Sequence, residues 1–154
     1  MIILGIDPGS NLIGYGAIES QGDGKMISLG HGVIKIKTKE NGAHLVEIKK
    51  AVKKLIARFR PERAILEKLF FFKNRKTAIE VSQARGVMVL CLAEKKIPII
   101  ELAPLELKRA ITGYGRAQKT NIQKVVKLIL NLAEEPRPDD AADALALAIL
   151  GSNY

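Results

Sequence analysis

The chain has 154 residues, enough for one domain with a sizeable core and too few for two. Hydrophobic residues make up 47% and charged residues 27%, as in an ordinary soluble globular protein, and no apolar run approaches the roughly 18 residues of a membrane span. Twenty-five basic residues against 16 acidic ones give +9, which favours a polyanionic partner with nucleic acid first, although positive charge also serves plain solubility.

Met1 leads straight into a strand-like segment with no basic-then-apolar leader, so a cytoplasmic protein is expected. The single cysteine, Cys91, excludes an internal disulfide and a Cys-rich metal site, and its apolar surroundings predict a core position.

Ile2 to Asp7 (IILGID) is a short apolar run ended by Pro8-Gly9-Ser10, the pattern of a buried strand and a turn. Gly14–Glu19 and Met26–Ile36 predict two more strands around the turn formers Gln21-Gly22-Asp23-Gly24. From Ala43 to Phe59 the period becomes helical, with Leu45, Ile48, Val52, Leu55, Ile56 and Phe59 on one face and lysines on a solvated one. Pro61 ends that helix, and Arg63–Leu69 predicts a fourth strand. A loop rich in Phe and basic residues precedes a long helix over about Lys76–Lys96, followed by a fifth strand, Pro98–Leu102. Pro104–Ile111 and Lys119–Leu130 predict helices around the loop Gly113 to Arg116, and a last helix spans about Asp139–Leu150. There is no repeat, low-complexity segment or linker, so one α/β domain over residues 1–154 is expected. Its mixed five-stranded sheet, flanked by helices, is compatible with a ribonuclease-H-like layout.

The acids carry the chemistry. Asp7 ends an apolar strand and Glu67 follows Ala64-Ile65-Leu66, where an ionised carboxylate is costly unless it is paired, hydrogen-bonded or metal-bound. Taken singly, Asp7 also suits an Asx turn and Glu67 a half-exposed strand. In AADALALAIL, Ala141 to Leu150, Asp143 is the sole polar residue of a helix apolar on nearly every side, and it needs a compensating partner. Asp140 lies three residues earlier on the same face. Asp139 is the expected N-cap, and the helix dipole alone would account for Asp140. Two like charges on one face raise each other's pKa unless a cation lies between them. With no His nearby and no Cys pair, magnesium or manganese suits the position better than zinc.

The motif Ile3-Leu4-Gly5-Ile6-Asp7-Pro8-Gly9-Ser10, with Gly14-Tyr15-Gly16, resembles the amino-terminal motif of the RuvC resolvases. Ala64-Ile65-Leu66-Glu67 with Phe70 and Lys73-Asn74 resembles their second motif. Ser82-Gln83-Ala84-Arg85-Gly86 resembles the helix that follows, and Asp140-Ala141-Ala142-Asp143-Ala144-Leu145-Ala146 their carboxy-terminal motif. The similarity runs through essentially the whole chain, in order. It implies a ribonuclease-H-like fold, a homodimer and Mg²⁺-dependent cutting of four-way (Holliday) DNA junctions into 5′-phosphate and 3′-hydroxyl ends, with RuvA and RuvB as cooperating branch-migration proteins. It puts the catalytic acids on Asp7, Glu67, Asp140 and Asp143, in an all-acid version where some relatives carry a histidine matching Asp140. It puts phosphate-contacting lysines on Lys108 and Lys119, and the base-stacking aromatic on Phe70.

Phosphodiester hydrolysis by two divalent ions suits such a cluster: Asp7 is expected to anchor two Mg²⁺ per subunit, replaceable by Mn²⁺, with Glu67 on one ion and Asp140 and Asp143 on the other. His31 and His44 lie away from the motifs and receive no role. Lys73, Arg75, Lys76, Arg116 and Lys119 flank the two loops expected to hold DNA, where Phe70, Phe71 and Phe72 either stack on an unpaired base or plug the core. Gly86 to Ala93 (GVMVLCLA) is apolar all round, so this helix could bury one face on the sheet and another on a second subunit, with Ala84 and Gly86 allowing close approach; burial wholly inside the monomer is the alternative. Rival readings are a sugar-kinase-like ATPase, which needs a second domain, another ribonuclease-H-like nuclease, and a catalytically idle DNA-binding module.

Overall fold

The structure is a computed structural model that describes residues 1–40, 42–69, 75–113 and 118–154, and of residues 75, 76 and 119 the backbone alone. Among the described residues the chain runs β1 (Ile2–Asp7), β2 (Leu12–Ser20), β3 (Met26–Lys35), α1 (Ala43–Phe59), β4 (Arg63–Glu67), α2 (Arg75–Glu94), β5 (Ile99–Leu102), α3 (Pro104–Thr112), α4 (Lys119–Ile129) and α5 (Asp139–Leu150), closed by a 3₁₀ turn at Gly151–Asn153. The sheet order is β3-β2-β1-β4-β5. The first three strands are antiparallel meanders, whereas β4 runs parallel to β1 and β5 parallel to β4. This is the mixed, ribonuclease-H-like sheet expected from the element order.

Strand β1 is central and covered on both faces, which is why Ile3, Leu4 and Ile6 form a run instead of alternating with polar residues. Leu4, Ile6, Ala64 and Leu66 face α1 and α2, where they meet Val52, Ile56, Met88 and Leu92. Ile3, Ile18 and Ile65 face the other way, onto α3, α4 and α5. The β2–β3 turn works because Gly22 and Gly24 adopt φ of 75° and 82°, open to glycine at no steric cost.

Several boundaries differ from the sequence expectation for local reasons. β4 stops at Glu67 instead of Leu69. Pro98 stays outside β5, although its carbonyl accepts the Ala64 N–H at 2.9 Å, because proline offers no N–H to a ladder. α2 ends at Glu94, two residues early: Lys96 turns left-handed at φ 56° and the Ile97 N–H reaches back to the Leu92 carbonyl at 3.1 Å. The N-cap of α5 is Pro138, not Asp139; the Pro138 carbonyl accepts from Ala141 N–H at 3.0 Å, so Asp139 already occupies the first turn.

The expectation for α2 also changes. Ala84, Met88, Cys91 and Leu92 point into the core, while Gly86 and Leu90 face outward. Ala84 therefore packs inside the monomer, and only Gly86 remains for close approach from outside, with open space around it. The α1 lysines are not all merely solvated: Lys49 and Lys53 both pair with Glu94 of α2, at 3.5 and 2.9 Å. Cys91 is core, and burial pushes its thiol pKa up.

Ile65 is fully buried between β1 and β5 and packs beneath Gly151. Ile65→Ala should cost about 2–5 kcal/mol in urea denaturation, the range for truncating a core aliphatic. A loss below about 1 kcal/mol would show that the α5 side of the sheet is not closed.

Candidate active site

The side-chain period of a strand is two, so Asp7 shares a face with Ile3 and Gly5, and Glu67 shares one with Ile65. That is the face covered by α5. The parallel register pairs Ile6 with Leu66, so Asp7 and Glu67 are the next residues on each of two neighbouring strands, at their carboxyl ends. Asp7 is also paired with Gly14 across the antiparallel β1–β2 ladder.

Glycine decides how close α5 can come. Gly5, Gly14 and Gly16 all lie under this helix. A Cβ at Gly14 would overlap the Asp140 carbonyl oxygen and stand 3.1 Å from the Asp140 Cβ. A Cβ at Gly16 would stand 2.6 Å from the Leu145 nitrogen, and one at Gly5 would overlap the Ala144 carbonyl. The helix answers with alanines: Ala141, Ala144 and Ala148 are fully buried. Helix backbone thus rests directly on strand backbone, running opposite to β1, with its amino terminus level with Asp7.

Two consequences follow for the acids. Asp140 is seated over Gly14, the cross-strand partner of Asp7, and Asp143 comes three residues later along the same helix face. The positive end of the helix dipole also lies at this end of the sheet, where it favours ionised carboxylates. All four acids are half-buried. Asp7, Glu67 and Asp143 each already engage a partner. Backbone geometry brings the four positions to one end of one face, yet among the described residues no trio of His, Cys, Asp or Glu side chains closes into a ready-made metal-holding group.

The donor chemistry fits a hard divalent ion. The four acids offer only carboxylate oxygens, the ligands magnesium and manganese prefer. Of the softer ligands, Cys91 is inside the α1–α2 core and His31 lies on β3 opposite Gly16, its pKa lowered by burial; His44, expected to lie away from the motifs, instead lines a cavity with Ser10 and Asn11.

The expected DNA contacts are only partly described. Lys108 is half-buried on α3, whose first turn is closed by Glu106 Oε2 accepting the Ala103 N–H at 2.7 Å. Phe70, Phe71, Phe72, Lys73 and Arg116 lie outside the described residues, and of Arg75, Lys76 and Lys119 only the backbone is described. Arg75 and Lys76 open α2, and Lys119 opens α4.

Sequence reasoning missed two supports of the site. One is the glycine seat, whose signal was the i, i+2 spacing of Gly14 and Gly16 set against an alanine-rich helix. The other is the ion pair in which Arg85 Nη2 donates to Glu101 Oε1, tying α2 to β5. Glu101 is paired with Leu66 in the β4–β5 register, so this tie lies directly beside the strand end that carries Glu67.

Comparison with known proteins agrees with this geometry. The family described as "Crossover junction endodeoxyribonuclease RuvC" matches residues 3–151. The crossover junction endodeoxyribonuclease RuvC of Petrotoga mobilis is 49% identical over all of this chain and 94% of its own. The structure of T. thermophilus RuvC in complex with a Holliday junction substrate superposes with a TM-score of 0.90 at 33% identity, covering 99% of this chain and 93% of that one. The yeast mitochondrial Holliday junction resolvase shares the fold, with a TM-score of 0.68 at 16% identity over 96% of this chain and 77% of that one. An acid pair on neighbouring strand ends, a helix seated on glycine and a match along nearly the full length lead to one conclusion: the chain belongs to the RuvC family of crossover junction endodeoxyribonucleases.

Proposed function

We propose that this chain is a structure-selective endonuclease that resolves four-way DNA junctions in recombination and repair by paired, symmetric phosphodiester cleavage. The products would carry 5′-phosphate and 3′-hydroxyl ends. The observation that carries this reading is the seat of α5 on Gly14, which brings the Asp140 and Asp143 positions to the strand ends bearing Asp7 and Glu67.

Asp7, Glu67, Asp140 and Asp143 would hold two divalent ions, Mg²⁺ with Mn²⁺ as a substitute. When bound, such ions neutralise charge on the attacking and leaving oxygens and lower the pKa of water, so no histidine base is needed. The carboxylates fix that charge, and α5, pressed against the sheet, keeps Asp140 and Asp143 from swinging away. Lys73, Arg75, Lys76, Lys108, Arg116 and Lys119 would contact phosphates and position the arms, while Phe70 would stack on an unpaired base at the crossover, worth about 1–3 kcal/mol.

Symmetric cutting asks for two sites related by a twofold axis, hence a homodimer. Support comes from the outward face of α2, where Ile79 is 70% and Leu90 51% exposed on one stripe with Gly86. Cooperation with RuvA and RuvB is proposed from the family resemblance.

Cleavage of a synthetic four-way junction, a linear duplex and an RNA–DNA hybrid, with and without Mg²⁺, tests the reading: only the junction should be cut, and only with metal. Asp7→Asn should retain junction binding and lose cleavage by at least about a hundredfold, the scale of removing one charge-stabilising group. Persistent cutting by this variant would remove Asp7 from the mechanism. Gly14→Ala should raise the Mg²⁺ concentration needed for half-maximal cleavage and slow the reaction, with junction binding unchanged, because the new methyl displaces Asp140; wild-type kinetics would show that the seat does not matter. Leu90→Glu should shift sedimentation from dimer to monomer, and an unchanged dimer would place the interface elsewhere.

A further inference from the structure

The end of the domain opposite the acids carries a cavity of about 610 Å³ between α1 and α2. Its floor is apolar: Ile56 and Pro61 are buried, as is Ile97, and Ala57 contributes no bulk at the mouth. Its rim is cationic, formed by Lys53, Arg60 and Lys95, and no carboxylate lines it. Lys53 is already engaged by Glu94 at 2.9 Å. Among the described residues neither Arg60 nor Lys95 has a carboxylate partner, and both are exposed. Arg60 is anchored by its backbone, left-handed at φ 48° with its N–H on the Ile56 carbonyl at 2.8 Å.

An apolar floor inside a positive rim calls for a ligand that supplies both an apolar group and negative charge. A base-paired DNA arm would satisfy the cations but keeps its bases stacked inside the duplex and offers the floor nothing bulky and apolar. An acidic peptide segment with one large apolar side chain satisfies both, in the manner of an interface with an apolar centre and a polar rim. Position agrees. Arg60 and Pro61 precede β4, whereas Glu67 ends it, four residues beyond Arg63 at about 3.3 Å each. The cavity also lies on the α1–α2 face and the acids on the α5 face. A ligand there would leave the proposed junction site open.

We propose that this cavity docks an acidic segment of a partner protein, which inserts one bulky apolar side chain over Ile56, Pro61 and Ile97 and sets its carboxylates against Arg60 and Lys95. The site works independently of the cleavage chemistry and could be occupied during it.

The test is selection of random phage-displayed peptides on the whole 154-residue chain, with Ala57→Trp as counter-target. Ala57 is exposed, so the indole fills the mouth without entering the core, and thermal melting verifies that the variant is folded. Peptides that prefer the wild type should combine several Asp or Glu residues with one Leu, Ile, Phe or Trp. Binding of the strongest synthetic peptide should weaken about tenfold or more in the Arg60→Glu, Lys95→Glu double variant, the scale of an interface hot spot, while junction cleavage stays unchanged. The assignment is overturned if no peptide distinguishes the wild type from Ala57→Trp, if the selected peptides lack acids, or if linear duplex DNA displaces them. It is overturned equally if the variants change only the sedimentation of the protein itself, since the occupant would then be a second copy of this chain.

Discussion

The contact on which everything else depends is mainly backbone against backbone: α5 lies on Gly5, Gly14 and Gly16, which put no side chain of the sheet between themselves and the helix. Two residues of the β2 ladder and one of β1 give up their side chains to make it, and the helix matches them with Ala141, Ala144 and Ala148. Hydrophobic area is not the purpose of such a contact, since alanine and glycine bury little of it. Its purpose is placement, because a helix held at backbone distance cannot tilt or slide without a clash. The acids inherit that rigidity.

The rest of the molecule holds the two partners of this contact in position. On one face, large aliphatic side chains from β1, β4, α1 and α2 provide most of the packing, and Glu94 links α1 to α2 through Lys49 and Lys53. On the other, Arg63 Nη1 donates to the Gly151 carbonyl at 2.8 Å and pins the far end of α5 beside β4. The end that carries the acids is thus left with small residues and charge, while bulk is concentrated along and below the sheet. Such a division lets a functional end carry half-buried carboxylates, which cost stability, on a scaffold that supplies it elsewhere.

Much of this was legible in the residues. The limits of α1 and α5 read directly from periodicity, and Asp143 stood out because no amphipathic pattern accounts for a lone acid among alanines and leucines. Asp7 and Glu67 were visible as charges ending apolar strands. Their adjacency was not, because strand order and register depend on contacts 60 residues apart, such as Ile6 beside Leu66. The α1 lysines looked merely solvated because their partner, Glu94, is more than 40 residues away in sequence. Asp139 looked like a cap because Asp usually wins that position, but here the preceding proline's carbonyl performs the closure. The all-apolar stretch of α2 hid its orientation, since composition alone cannot say that Leu90 turns out while Met88 and Cys91 turn in.

The seating of α5 also limits how this protein can change over evolutionary time. Elsewhere in the core, one aliphatic can replace another if neighbours repack and total volume is kept. Along Gly5, Gly14, Gly16 and the helix above them there is little volume to trade, because the nearest opposing atoms are main chain and cannot repack. Adaptation to heat, cold or a new partner must therefore be written into the outer helices and the opposite core. A methyl added along the glycine seam meets the helix at once, whereas a change elsewhere in the core can be absorbed by its neighbours.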